Sequence, residues 1–306
     1  MTATIVPGFP PEHAAVLGRA VTLAADTRPA NAEDLANLLY ARWYAAPTGP
    51  PQHVDPTWPP MAGLLREGHD ATLAWQPAVV IRVGAGGVVV VRDASGSPRA
   101  LIRGAYTHEA GSAAAGLAPQ VGEHLRVIAR SGAVVTEGWW RTWGGGWDPR
   151  SAPGGVTRVY LSPDVNRLPA LAGAVTALLE HMGSPWMVKA GVSAATLDRP
   201  DGFVIYFRDA DADALLDPIA RRTVGLVRRL PGPPMTSSVA DGVAWAQDPG
   251  DGRSFGEHRC AHVAAALVPA DPMADPLDAI ARAFAAAGVD PGAPHLRGTG
   301  TGVTVP

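Results

Sequence analysis

Apolar positions recur at helical spacing over residues 11 to 25 and again over 32 to 45, where Asn31 stands before AEDLANLLYARW as a capping residue. The pattern predicts two N-terminal helices. A Pro-rich stretch from Pro47 to Pro60 breaks the period, and a short helix is expected around Met61 to Glu67. From Ala78 the spacing changes to that of strands: AVVIRV, a Gly turn at Gly84 to Gly87, VVVVRD, a second turn, then ALIRG, a meander of three strands. HLRVIA and the Trp-rich EGWWRTW add two more, and GGGWDPRSAPGG reads as a mobile loop.

Beyond that loop VTRVYL, PWMVKAGV and GFVIYFR read as strands, and NRLPALAGAVTALLEHM and DADALLDPIARRTVGLVRR as helices. SFGEHRCAHVAAALV reads as a helix with Ser254 as N-cap and Glu257 closing a capping box, and DPLDAIARAFAAAG as a last helix ending at Gly288. Helices and strands alternate irregularly and no internal repeat is visible. The expectation is an α+β fold, a mixed, largely antiparallel sheet flanked by helices with a helical N-terminal region. Three regions are expected: helical 1–75, β-rich 76–150, and 151–306.

Composition narrows the function classes. A charged fraction of 17% and a net charge of -3, without runs of like charge, give no reason to expect nucleic acid or an anionic membrane as partner. The N-terminus lacks a basic segment followed by an unbroken apolar one, and no stretch of about 18 apolar residues occurs, so a soluble, cytoplasmic protein is expected. Cys260 is the only cysteine, which leaves no intrachain disulfide and no thiolate metal cluster. The histidines, His258 and His262 among them, show no metal-ligand spacing with acidic or Cys partners, so no metal is expected. GAGG joins two strands and GTGTG lies at the C-terminus, so neither predicts a nucleotide site, and no cofactor is expected.

One count changes the picture. Of the 25 Lys and Arg residues, 24 are Arg, and Lys189 is the single Lys. A GC-rich genome would remove lysine wherever either cation serves, which draws attention to the one that is kept.

Side chains alternate faces along a strand, so Arg158 and Tyr160 share one face of VTRVYL while Thr157, Val159 and Leu161 share the core face. The same rule puts Met187 beside Lys189, and Tyr206 beside Arg208 opposite Phe203, Ile205 and Phe207. If these strands neighbour one another, Arg158, Tyr160, Lys189 and Tyr206 converge on one surface. Arg199 then reaches in from the DRPD turn, and Arg259 from the start of its helix. Such a cluster suits an anion, because Arg offers a planar fork matched to phosphate and a helix N-terminus offers free N–H groups. Neighbouring cations would lower the pKa of Lys189 and make its neutral amine accessible as a base. A plainer reading stands beside this one: the tyrosines are amphipathic residues at the edge of the core, and the arginines form structural ion pairs with Asp198, Asp201 and Asp209. Trp139, Trp140, Trp143 and Trp147 are candidates either for a peptide platform or, more commonly, for core packing.

The segments RVYLSPDV, PWMVKAGV, LDRPDGFVIYF, DPGDGRSFGEHRC and GVDPGAPHLRG resemble those of the HopA effector family, which also occurs in clusters for class V lanthipeptides and thioamitides. The resemblance covers the C-terminal half, and the first 150 residues carry no motif that belongs to it. That family is in turn similar to phosphothreonine lyases and to the lyase domains of lanthipeptide synthetases. The resemblance implies Lys189 as catalytic base and Tyr160 in the place of the general acid, where relatives have His. It implies Arg158, Arg199 and Arg259 as phosphate-binding residues, with Tyr206 as a further site residue. It implies a phospho-Ser/Thr lyase that eliminates phosphate from a phosphorylated ribosomal precursor peptide, without metal or organic cofactor, beside a separate kinase-like partner. The alternatives left open are a non-catalytic peptide or phosphopeptide scaffold and a part in lanthionine ring formation.

Overall fold

The computed structural model describes residues 8–69, 75–93, 96, 98–103, 105–109, 111–114, 116–128, 132–144, 147, 154–268 and 274–298. Most of the loop from 144 to 155 and the GTGTG tail beyond Gly298 lie outside the described residues. Two helices open the chain, α1 over Pro11–Thr27 and α2 over Ala32–Leu39. Asn31 caps α2 as its sequence position implies, its side-chain oxygen accepting the Asp34 N–H at 2.8 Å. The second helix continues into a π-helical turn, Tyr40–Tyr44, that buries Trp43 and Tyr44. The short helix α3 covers Met61–Gly68.

A five-stranded sheet follows, built from β1 (Trp75–Val83), β2 (Val89–Asp93), β3 (Pro98–Leu101), β4 (Tyr106–His108) and β5 (His124–Ile128) in the order β3-β2-β1-β5-β4. The expected meander is its β1–β2–β3 half. Val80, Val89, Val91, Leu125 and Val127 form a small core of its own.

The larger sheet has seven strands: β6 (Gly132–Thr136), β7 (Trp139–Gly144), β8 (Val156–Leu161), β9 (Trp186–Gly191), β10 (Phe203–Arg208), β11 (Ser237–Ala240) and β12 (Val243–Gln247), in the order β11-β12-β8-β10-β9-β7-β6. Among the described residues every pairing between strands is antiparallel. β6 and β7 come from the stretch before residue 150, β6 pairing with β7 and β7 with β9, so a boundary at 150 divides this sheet's strands between two regions.

Helices α4 (Leu168–Met182), α5 (Ala194–Leu197), α6 (Ala212–Arg222), α7 (Phe255–Leu267) and α8 (Pro276–Ala286) complete the fold. The α6 helix stops at Arg222, short of the expected VGLVRR extension, and Gly225 follows at φ 76°, a left-handed conformation natural to glycine. One face of the sheet presents Trp140, Val159, Trp186, Val188, Ile205 and Phe207 to apolar side chains of α3, α4 and α6. The other face gives Val156, Tyr160, Val204, Tyr206 and Ala246 to a second core with α1, α2, the π-helical turn, α7 and α8. Full burial of a side chain such as Phe207 contributes about 1.5–3 kcal/mol, so this alternation fixes which strand residues can face the second layer.

The capping box at Ser254 and Glu257 fixes the start of α7, both of its reciprocal hydrogen bonds being formed. Gly256 in its first turn lets the helix approach the π-helical turn, since a Cβ there would come within 2.3 Å of the Tyr44 ring. Both helix layers cover the sheet only in part. Beyond the second core, the surface around Lys189 opens into a cavity.

Candidate active site

Strand register sets the site. Tyr160, Val204, Lys189 and Arg141 stand in one row across β8, β10, β9 and β7, and Arg158, Tyr206, Met187 and Trp143 stand in the next. Arg158, Tyr160, Lys189 and Tyr206 therefore share a sheet face, as strand alternation implied. A cavity of about 1190 Å³ opens on this face, with Arg141, Arg158, Lys189, Tyr206, His258 and Arg259 in its wall.

The Lys189 Nζ lies 3.8 Å from the centroid of the Trp139 ring, and the Arg199 guanidinium lies 5.7 Å from the same centroid. The Lys189 pKa falls to about 8, chiefly through burial and then through Arg141; Asp201 opposes the fall, and Arg158 and Arg199 add to it. Burial disfavours the ammonium, and each nearby guanidinium disfavours it further. A larger neutral fraction at physiological pH is the chemical result.

Arg158 donates from Nε to Asp248 Oδ2 at 2.7 Å and from Nη2 to the same oxygen, with its guanidinium 5.2 Å from the Tyr206 ring centroid. Arg199 forks onto Asp201 through two bonds of 2.8 Å, and its Nη2 donates to the Tyr40 hydroxyl at 3.2 Å while that hydroxyl donates to Asp201 at 3.1 Å. Arg199 lies outside the wall of the large cavity and acts on Lys189 through its charge. Part of the plainer sequence reading holds, since Arg199 pairs with Asp201, whereas Asp198 pairs with Arg228 and Asp209 with Arg297.

Two expected roles meet obstacles. The Tyr160 hydroxyl is buried beside that of Tyr44, and Tyr160 is no part of the cavity wall. Burial raises its pKa well above the usual phenol value, with Arg158 opposing. A general acid must reach the leaving group, and the Tyr160 side chain is buried away from the cavity surface. Tyr206 is the phenol that reaches the wall.

Arg259 reaches the wall but is fully buried, and each of its three nitrogens is engaged: Nε with the Pro294 carbonyl at 2.9 Å, Nη2 with that of Leu296 at 2.7 Å, and Nη1 with His258 Nδ1 at 2.7 Å. Burial lowers its pKa to about 10 and, with Arg259 and His262, lowers that of His258 to about 3. Arg259 ties the C-terminal segment to α7 through three of its five N–H donors. Among the described residues no group of three or more His, Cys, Asp or Glu is gathered as metal ligands would be.

Trp140 is a core residue, while Trp139 faces Lys189 and Trp147 packs 6.4 Å from the Tyr206 ring centroid. Sequence reasoning missed Arg141, Tyr40 and Asp248. Alternation in β7 could have placed Trp139, Arg141 and Trp143 on one face; its pairing beside β9 carries no local signal.

The description "HopA1 effector protein family" matches residues 134–296, just over half of the chain. The chain belongs to this family. The HopA1 match starts before β7 and so takes in Arg141 as well as Lys189. The fold is similar to that of the effector protein from Pseudomonas syringae pv. tomato strain DC3000, at 15% identity over 94% of this chain and 98% of that one, with a TM-score of 0.57. It is also similar to the effector protein from Pseudomonas syringae pv. syringae strain 61, at 15% identity over 94% of this chain and 97% of that one, with a TM-score of 0.56. No curated protein matches. The likeness of fold therefore extends over the first 150 residues, where no motif was legible. Among the described residues no helix is long and apolar enough to cross a membrane.

Proposed function

We propose that this HopA1 family chain is a phospho-Ser/Thr lyase. It acts on a phosphorylated ribosomal precursor peptide, whose phosphate ester a separate kinase supplies. The observation that carries the reading is Lys189: a lysine with pKa about 8, in the wall of an open cavity and surrounded by guanidiniums. At neutral pH roughly one-tenth of such a side chain is the free amine, far more than for an ordinary lysine.

The neutral Nζ takes the proton from Cα of the phosphorylated residue. The electron pair of that C–H bond becomes the Cα=Cβ double bond, the Cβ–O bond breaks, and phosphate leaves with its electrons. Lys189 is left as the ammonium, and the peptide carries dehydroalanine or dehydrobutyrine. Positive charge fixed near the leaving oxygens stabilises charge that grows in the transition state, a role open to Arg158 on the cavity wall. The phosphate ester is a dianion at this pH, so the leaving phosphate takes a proton from solvent in the open cavity as it departs, and the burial of Tyr160 does not block the scheme.

The test is incubation with a phosphoserine or phosphothreonine peptide and mass measurement for loss of phosphoric acid. Unchanged peptide across pH 7 to 9 would sink the reading. A second reading has its own observation: Arg158 and Arg199 are already paired with Asp248 and Asp201, which suits a scaffold that binds peptide without turnover. Peptide binding without release of phosphate would favour it.

A further inference from the structure

The lyase reading needs a cation free to take phosphate, and most guanidiniums in the cavity wall are committed elsewhere. Arg158 is held by Asp248. Arg259 is held by two carbonyls and His258. Arg297 donates to the carbonyls of Asp248 and Gly154 and to Asp209. Arg253 pairs with Asp251 and is half exposed. Arg141 differs from them all: among the described residues its guanidinium has no hydrogen-bond or ion-pair partner, and it is half-buried in the same wall.

Its place relative to the base is fixed by backbone pairing. Arg141 stands directly across from Lys189 on the neighbouring strand, where facing Cβ atoms lie roughly 4.5–5.5 Å apart. In a phosphorylated serine only Cβ and the ester oxygen separate phosphorus from the Cα that loses its proton. Phosphate on Arg141 therefore brings that Cα within reach of the Lys189 amine. A guanidinium without a protein partner in a partly desolvated site gains charge-assisted bonds from a phosphate, whose paired acceptor oxygens match its fork.

Resting on the lyase reading, we propose that Arg141 is the guanidinium that binds the substrate phosphate and presents the phosphorylated residue to Lys189, the role that the sequence resemblance gave to Arg158, Arg199 and Arg259. Arg141 is thereby the residue that separates phosphorylated from unphosphorylated peptide.

The test compares wild type with Arg141→Gln and Arg141→Lys by calorimetry, using inorganic phosphate, a phosphoserine peptide and its unphosphorylated form, with thermal melts as a control for folding. Arg141→Gln is expected to weaken phosphate and phosphopeptide binding by roughly tenfold to a hundredfold, the loss typical of a charge-assisted contact, and to leave the unphosphorylated peptide unaffected. Arg141→Lys should recover part of the loss. Turnover by the Gln variant should show a raised KM, and its pH midpoint should move upward because a cation beside Lys189 is gone. Binding of phosphate by Arg141→Gln within twofold of wild type would overturn the assignment, even with wild-type elimination intact. Loss of phosphate binding in that variant, with a wild type that never releases phosphate, would uphold the anion site and sink the lyase reading.

Discussion

Lys189 rests on the face of Trp139, its Nζ 3.8 Å from the ring centroid. An ammonium on an aromatic face gains about 0.5–2 kcal/mol that the neutral amine does not, so Trp139 holds the base toward its charged form against the pull of burial. Trp139→Leu keeps an apolar wall and removes the π-face. The pH midpoint of kcat/KM for elimination should fall by roughly 0.4–1.4 units. A midpoint that stays put would show that Trp139 only fills space.

Elimination should rise with pH through about 8, since Lys189 works as the free amine and its pKa is lowered to about 8. Lys189→Arg keeps charge and reach but supplies no neutral nitrogen near neutral pH. The rate should drop by about 10²–10⁴-fold, the usual worth of a general base, with phosphopeptide affinity little changed. Stopped assays with phosphoserine peptide at pH 7, 8 and 9 check both statements, and an Arg variant active at the wild-type rate would remove Lys189 from the role of base.

Arg259 is expected to behave as a structural residue. Arg259→Ala strands the carbonyls of Pro294 and Leu296 in the interior, and loss of such charge-assisted bonds should cost about 3 kcal/mol or more. Thermal melts should fall markedly, whereas a phosphate ligand would lose affinity with stability preserved. A variant as stable as wild type yet deaf to phosphate would restore the role that the family resemblance gave it.

Acid sensitivity should follow from His258. Its pKa falls from 6.5 in the unfolded chain to about 3 in the fold, so below 6.5 the unfolded state takes up a proton that the folded state refuses. The stability it contributes is present above 6.5 and is lost progressively as pH falls toward 3. His258→Gln retains an acceptor for Arg259 and should flatten the drop in melting temperature between pH 7 and pH 4.5. An equally steep drop in the variant would assign the sensitivity to other groups.

Local features of the fold were legible, and long-range ones were not. The caps at Asn31 and Ser254 follow from side chains that satisfy orphan N–H groups within a few residues, so the sequence carries them outright. Alternation in β8, β9 and β10 told which residues share a face, because that depends only on the pleat. The neighbours of those strands depend on non-local pairing, which is why β7 and Arg141 went unplaced beside Lys189. The partners of Arg259 were hidden for another reason: its position in α7 was right, but the Pro294 and Leu296 carbonyls that hold it lie about a tenth of the chain away. Tyr40 reaches the site only because α2 runs on into a π-helical turn, a departure from the helical period that the apolar pattern does not announce.

The uniqueness of Lys189 turns the candidate base into its own reporter. Reductive methylation with isotopically labelled formaldehyde would place a tag on one side-chain amine alone, and that amine lines the cavity. Acylating reagents would react there faster than with an ordinary lysine, because more of the amine is unprotonated, and an occupant of the cavity would shield it. A protein that spells nearly all its cations as arginine has thereby made its one side-chain amine addressable without mutation.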